Sequence, residues 1–213
     1  SARTAAWQDY SSSGVYAVVI VSGNTASKPP VLVVDDEQDV ADLYALRLQG
    51  EYTPIVAYGG REAIEKMDEH VAAVLLDRRM PDIHGDDVLE AIRGKRYDVP
   101  VIMVTAVDPE LNILEMDFDD YLTKPVYEET LLQTLDQHVD RDAQNPKLEE
   151  FLGTMSKLLV LEDEHAQSHL DEDEEYSLLK RRASKLADEL EDEVEDLESI
   201  VRTHESIHRG SDQ

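Results

Sequence analysis

The chain has 213 residues, 48 acidic and 20 basic, and a formal net charge of -28. A surface this acidic repels nucleic acid, so non-specific DNA binding is not expected without a local basic patch. Cysteine is absent, which excludes disulfides, thiolate catalysis and cysteine-ligated metal sites.

The acid excess runs through the whole chain, not only its end. One explanation is an acidic disordered tail. The other is adaptation to molar salt, since the Debye length at 1 M is about 3 Å and like charges then barely repel. We favour the second explanation, which predicts a halophilic archaeon as the source.

Residues 1–29 are predicted to be a disordered leader. The apolar run at 14–22 lies at the lower size limit of a signal-peptide core and lacks a basic flank, so it is not expected to direct secretion. No segment approaches the roughly 20 apolar residues of a membrane helix. A cytoplasmic location without a membrane partner is therefore expected.

From residue 31 onward, short apolar runs alternate with segments of helical periodicity. Five such βα repeats predict a parallel sheet covered on both faces. Right-handed crossovers make a doubly wound five-stranded α/β fold the simplest solution. The predicted strands lie at 31–34, 54–57, 72–76, 100–104 and 120–123.

Pro146 ends this pattern, and the stretch 147–208 that follows contains one glycine and no proline. Two apolar faces, one near 148–159 and one at 179–200, predict an acidic helical pair. The second face is nearly heptad-like, but Glu193 falls at a core position and interrupts it.

Polar side chains stand at the carboxyl ends of four predicted strands, where open α/β sheets bind ligands. Carboxylate oxygens are ligands that Mg²⁺ prefers, and an ammonium and a hydroxyl can hold phosphoryl oxygens. The set predicts a site for a divalent cation and a phosphoryl group. Its members are Asp35, Asp36, Asp77, Thr105 and Lys124.

The segments VLVVDDE, LLDRRMPDIHG, VIMVTAV and DDYLTKPV resemble the CheY-like receiver domain of two-component response regulators. The resemblance covers about residues 30–141 and implies a flavodoxin-like fold. It divides the chain into a leader at 1–29, a receiver domain at 30–141 and a helical region at 142–213.

The resemblance also implies roles for individual residues. Asp77 matches the phosphoacceptor, and Asp35 and Asp36 match the acidic pair that holds Mg²⁺ together with Asp77. The backbone carbonyl of Arg79 matches the remaining protein ligand of the metal.

Three further positions match the receiver switch. Thr105 matches the switch hydroxyl, Tyr121 the aromatic rotamer switch, and Lys124 the invariant lysine, which precedes a cis proline. We expect Thr105 and Lys124 to move toward a phosphoryl group on Asp77, and Tyr121 to occupy the space that Thr105 leaves.

One departure from the family stands out. Only 18 residues separate Thr105 from Lys124, fewer than the family usually has. Residues 108–115 are therefore predicted to form a shortened fourth helix or a distorted loop. That helix belongs to the face on which receivers usually dimerise or dock partners, so the usual dimer is in doubt.

The acidic helical tail, with segments GTMSKL and EYSLLKRRASKLADEL, resembles the HalX-type regulators of haloarchaea. This resemblance gives no output activity. The tail's basic cluster at 180–182, with Lys185, is interpreted as a solvated helix face in preference to a DNA contact. The tail is interpreted as an interaction module that packs on itself or forms a homodimer.

The resulting prediction is a two-component response regulator that accepts a phosphoryl group on Asp77 from a sensor histidine kinase in a Mg²⁺-dependent step. Such a protein turns over no separate substrate and is not an enzyme in that sense. A transcriptional regulator that binds DNA through the tail is the alternative. A phosphatase of the haloacid-dehalogenase type is a weaker one, because it needs a second aspartate where Arg79 stands.

Two pairs of histidines, His165 with His169 and His204 with His208, have the four-residue spacing of helical metal ligands. No third ligand is evident beside either pair in the sequence. Both pairs are therefore predicted to be surface histidines.

Overall fold

The computed structural model describes residues 28–106, 109–139 and 145–209. The predicted leader thus lies almost wholly outside the described residues, as do positions 140–144 of the predicted linker. Of the described helices, none combines the length and the apolar run that crossing a bilayer requires.

Five parallel strands form one sheet with the order β2-β1-β3-β4-β5. Each predicted strand is present, with ends shifted by at most one residue. The fold is the doubly wound sheet that the pattern predicted, and its strand order is the flavodoxin-like one that the resemblance implied. The strands are β1 (Pro30–Val34), β2 (Thr53–Ala57), β3 (Ala73–Leu76), β4 (Val101–Thr105) and β5 (Asp120–Thr123).

The helices of the sheet region are α1 (Gln38–Leu48), α2 (Gly60–Lys66), α3 (Gly85–Gly94) and α4 (Glu128–Val139). Between β4 and β5 the described chain forms only a 3-10 helix, Leu111–Glu115. This agrees with the prediction of a shortened fourth helix or a distorted loop at 108–115, of which residue 108 lies outside the described residues.

The C-terminal region contains more helices than the predicted pair. They are α5 (Pro146–Glu164), α6 (Gln167–Leu170), α7 (Glu174–Leu190) and α8 (Leu197–Arg209). The prediction of one long second helix is wrong, because the chain turns between α7 and α8 through Asp196, whose φ is 63°. Glu193, which interrupts the heptad pattern of the sequence, lies in this turn and pairs with Lys147 at 2.7 Å.

The strands alternate side chains between two apolar layers, as a sheet covered on both faces requires. One layer packs under α1 and α4. The other packs under α2, α3 and, next to β5, under α5. Helix α5 therefore covers the part of the sheet that the shortened segment before β5 leaves open.

The C-terminal helices share a continuous core with the sheet. Leu152 of α5 is fully buried in the same apolar cluster as Leu76 and Tyr121 of the strands. Helix α8 contacts both α4 and α5. The edge strand β5, whose exposure would invite mispairing, is thus flanked by α4, α5 and α8.

Candidate phosphoryl-acceptor site

The neighbouring strands β1 and β3 bring two of the predicted acids together. Their register pairs Val34 with Leu76, so Asp35 and Asp77 follow at adjacent positions of the sheet's carboxyl edge. The chain turns away to opposite sides after these strands, which makes this edge the crevice of a doubly wound sheet. Both aspartates are buried.

Lys124 links these two carboxylates. Its Nζ donates to Asp35 Oδ2 at 2.6 Å and to Asp77 Oδ1 at 2.8 Å. It follows β5, and the Lys124–Pro125 peptide is cis, as predicted. The side chain is 13 % exposed, so solvent screens these ion pairs less than it would at the surface.

Local backbone hydrogen bonds fix the remaining carboxylate oxygens. The amide of Glu37 donates to Asp35 Oδ1 at 3.0 Å, and the amide of Arg79 donates to Asp77 Oδ2 at 2.9 Å. Each carboxylate is therefore held from its own loop on one side and by Lys124 on the other. The Asp77 side chain is oriented before any ligand binds.

Burial and the Lys124 ammonium shift the pKa of Asp77 in opposite directions. Burial raises the pKa of Asp77, against the lowering effect of the Lys124 hydrogen bond. Burial alone would lower the pKa of Lys124, but its hydrogen bonds to Asp35 and Asp77 outweigh this, so its pKa is raised. Lys124 therefore remains a cation at neutral pH.

The loop after Asp77 returns to it at Gly85, whose amide donates to the carbonyl of Arg78 at 2.8 Å. A Cβ at Gly85 would lie 2.3 Å from the Asp77 carbonyl oxygen and 2.8 Å from Arg78 Cα. Because both contacts are to backbone, a larger residue would have to displace the loop that carries Asp77. The close approach of the Asp77 and Arg78 backbone explains why position 85 is a glycine.

The donor set can be compared with the needs of Mg²⁺, which takes oxygen ligands and keeps several waters. Asp35, Asp36 and Asp77 supply three carboxylates against the single charge of Lys124. Asp36 is half-buried, and no described residue donates a hydrogen bond to its side chain. The surplus negative charge and the all-oxygen donors fit a hard divalent cation.

The three carboxylates do not converge into a tight cage. Within 28–106, 109–139 and 145–209, only one trio of histidine or acidic side chains has ligand atoms all within 4.8 Å of each other, and it lies elsewhere. Lys124 stands between Asp35 and Asp77 in this arrangement. Water would complete the shell of a cation held here.

The predicted switch residues are buried beside this edge. Thr105 ends β4 and pairs in register with Thr123, and its carbonyl accepts a 2.9 Å hydrogen bond from the Lys124 amide. Tyr121 is fully buried, with its ring centroid 5.7 Å from that of Phe118. The structure thus brings Thr105 next to Lys124 and places Tyr121 in the core under α5.

A second polar cluster escaped the sequence analysis. Asp120, at the opposite end of β5, is fully buried with His204, and His208 is 6 % exposed in its side chain. The prediction that His204 and His208 are surface histidines is therefore wrong. The carboxylate that lies against this pair is Asp120, which stands 84 residues before His204 in the sequence and carries no local signal of that contact.

The basic cluster of the tail is largely neutralised by acids. Lys180 pairs with Glu162 at 3.6 Å, and Arg182 pairs with Glu150 at 2.7 Å, both across the α5–α7 contact. Lys185 pairs with Glu189 one turn further along α7. The cluster offers no continuous basic surface.

Two family models match the chain, one after the other. The response regulator receiver domain matches residues 31–136, and the HalX domain matches residues 140–207. A Haloferax volcanii protein named "Putative transcriptional regulator" is 39 % identical over 187 residues, which cover 85 % of this chain. The chain spans 32 % of that relative's length.

Solved receiver domains share the fold of the sheet region. The BeF3-activated DrrB receiver domain is 26 % identical, with a TM-score of 0.50, and the match covers 54 % of this chain and 99 % of that one. The Vibrio cholerae chemotaxis protein CheY4 is 27 % identical, with a TM-score of 0.50, and the match covers 53 % of this chain and 99 % of that one.

Proposed function

Because the chain belongs to the response regulators that join a receiver domain to a HalX domain, we propose that it is a two-component response regulator whose Asp77 accepts a phosphoryl group from a sensor histidine kinase. The observation that carries this proposal is the buried pair of Asp35 and Asp77 bridged by Lys124 at the carboxyl edge of the sheet.

In the proposed reaction, an Asp77 carboxylate oxygen forms a bond to phosphorus. The phosphorus–nitrogen bond of the donor phosphohistidine breaks, and the imidazole leaves with the electron pair and takes up a proton. Asp35, Asp36, Asp77 and the Arg79 carbonyl would hold Mg²⁺, which when bound offsets the repulsion between carboxylate and phosphoryl oxygens. Lys124 places its ammonium where the phosphoryl oxygens would arrive.

A small acyl phosphate, offered with Mg²⁺ at molar salt, tests this proposal. We expect the protein to gain one phosphoryl group per chain, and Asp77→Asn to gain none. Asp87→Asn is the matched control, because Asp87 is an exposed carboxylate in the first turn of α3. Loss of uptake in both variants, or in neither, would contradict the assignment.

The signal would leave the receiver through β5. This strand carries Tyr121, precedes Lys124 and packs against α5 of the HalX region. We propose that phosphorylation changes the packing between the sheet and α5. The face of the sheet that α5 covers would then act as the output surface. The receiver would turn over no separate substrate.

The name of the Haloferax volcanii relative supports control of transcription as the output. The pairing of Lys180 and Arg182 with glutamates favours a protein partner or a second copy of the chain over direct DNA contact through α7. Sedimentation at molar salt, with and without phosphorylation, distinguishes a phosphorylation-driven dimer from a constant monomer.

A further inference from the structure

Asp120 lies at the centre of a buried polar cluster that the phosphoryl chemistry does not use. It begins β5, whereas Lys124 follows the other end of that strand. Asp120 Oδ1 lies 2.9 Å from His208 Nε2 and accepts from the Ser156 hydroxyl at 2.8 Å. His204 Nε2 lies 2.9 Å from the same hydroxyl.

The hydroxyl of Ser156 has one proton and faces several acceptors. These are Asp120 Oδ1 at 2.8 Å, the Leu152 carbonyl at 3.1 Å and His204 Nε2 at 2.9 Å. The Gln137 amide oxygen lies 3.1 Å from His204 Nδ1. Since that oxygen can only accept, Nδ1 carries a proton, and the Nε2 lone pair of a neutral His204 points into the cluster.

A cation at the centre would satisfy these lone pairs together. We propose that Asp120, His204 and His208 form a binding site for a divalent transition-metal ion, with Zn²⁺ as the representative. Their ligand atoms all lie within 4.8 Å of one another. Two histidine nitrogens and one carboxylate are a common three-residue ligand set for zinc, and the nitrogen donors disfavour Mg²⁺.

The surroundings supply the outer contacts that metal ligands require. Gln137 accepts from the far nitrogen of His204, which fixes the ring and its tautomer. His138 Nε2 lies 3.1 Å from Asp120 Oδ2, the oxygen that His208 does not contact. Such partners orient metal ligands and raise their basicity.

A cavity adjoins the cluster at His208. The cavity, of about 130 Å³, is lined by His208 together with Tyr121, Leu122 and Lys124. Because Asp120 and His204 are fully buried, the ion would serve to hold α8 onto β5 and not to bind a substrate. This inference is independent of phosphorylation at Asp77.

Zinc titration of the chelator-stripped 213-residue chain, followed by calorimetry at molar salt, tests the site. We expect one Zn²⁺ per chain with micromolar or tighter affinity, and a raised melting temperature. Co²⁺ should give the visible absorption of a four-coordinate nitrogen–oxygen site. His204→Gln and His208→Gln should each weaken binding at least about 100-fold, and Gln137→Ala about 10- to 100-fold.

Two controls separate this site from others. The double variant of His165→Gln and His169→Gln removes the other pair with the same spacing and should keep full affinity. Asp77→Asn should also bind zinc normally. If the unaltered protein binds no zinc, the cluster is held together only by hydrogen bonds between its own residues, and the proposal fails. The proposal also fails if zinc binding is unchanged in His204→Gln, His208→Gln and Gln137→Ala. It fails equally if zinc binding is lost in the double variant of His165 and His169.

Discussion

Gly85 sets how closely the acceptor loop can fold back on itself. Gly85→Ala should cost about 1–3 kcal/mol of stability, because the new methyl group has only backbone to displace. It should also slow phosphoryl uptake, since Asp77 moves with the loop. Denaturant unfolding and the uptake assay measure the two effects.

Gly94→Ala is the control for this substitution, because a Cβ there meets nothing within 4 Å. An alanine in a helix is about 0.5–1 kcal/mol better than glycine, so this variant should be unchanged or slightly more stable. Equal behaviour of the two variants would mean that close approach does not explain Gly85.

In the proposed switch, Thr105 and Lys124 sense a phosphoryl group on Asp77. Moving a population from 1:99 to 99:1 needs about 5.5 kcal/mol, and each charge-assisted hydrogen bond supplies about 1.5–3 kcal/mol. Both residues are therefore needed to reverse the equilibrium.

Thr105→Ala should accept phosphate but show no phosphorylation-dependent change in the hydrogen exchange of β5 and α5. Thr53→Ala, on the exposed start of β2, should keep that change. A full exchange response in Thr105→Ala would show that the threonine does not transmit the signal.

Lys157, on α5, is a half-buried cation at the contact between the HalX region and the sheet. Its ammonium donates to the Met116 carbonyl and lies 5.0 Å from the Phe118 ring centroid. Burial lowers its pKa, against the raising effect of Asp117 and Asp119. The folded state therefore releases this proton more readily than the unfolded chain does.

The lowered pKa of Lys157 makes the stability of the fold depend on pH. Between the lowered folded pKa and the ordinary value of 10.5, the unfolded chain binds more protons, so this residue makes stability rise with pH. Other groups, such as Lys124 with its raised pKa, act in the opposite direction in that alkaline window. The slope of stability against pH, measured by denaturant unfolding, should therefore be less positive in Lys157→Met than in the unaltered protein. Lys147→Met, at a lysine whose side chain is 42 % exposed and whose pKa is raised, should not make that slope less positive. Identical slopes in Lys157→Met and the unaltered protein would refute the assignment.

At the scale of elements, α5 completes the sheet region. Leu152→Ala should cost about 2–5 kcal/mol, because Leu152 is fully buried in the core shared with the strands. Leu178→Ala makes the same chemical change at a side chain that is 54 % exposed and should change stability by less than about 0.5 kcal/mol.

The same variant tests whether the sheet and the HalX helices unfold together. Hydrogen exchange of β5 and of α7 should weaken in parallel in Leu152→Ala, since both elements rest on one core. Weakening confined to α7, with β5 as protected as before, would show two independent units.

Sequence reasoning reached the strands and the carboxyl edge because their signals are local. An apolar run that ends in aspartate identifies both the strand and the position of Asp77. The place of α5 could not be read in this way, because helical periodicity shows that a face is apolar but not which surface covers it. The link from Asp120 to His208 is equally non-local, since only the packing of α8 against α4 and α5 brings them together.

For the whole molecule, the charge of -28 makes stability depend on salt. The Debye length grows from about 3 Å at 1 M to about 10 Å at 0.1 M, so repulsion between surface acids extends further at low salt. The melting temperature should therefore fall as the salt is lowered over this range. An unchanged melting temperature would contradict adaptation to high salt.

The most direct test of the account locates the phosphoryl group in the chain. An aspartyl phosphate is an acyl phosphate, which borohydride reduces to homoserine, and peptide mass spectrometry then identifies the position. After incubation with Mg²⁺ and an acyl phosphate, the account predicts homoserine at position 77 and at no other aspartate. Reduction at a different aspartate, or phosphate found on a hydroxyl or an imidazole, would contradict it.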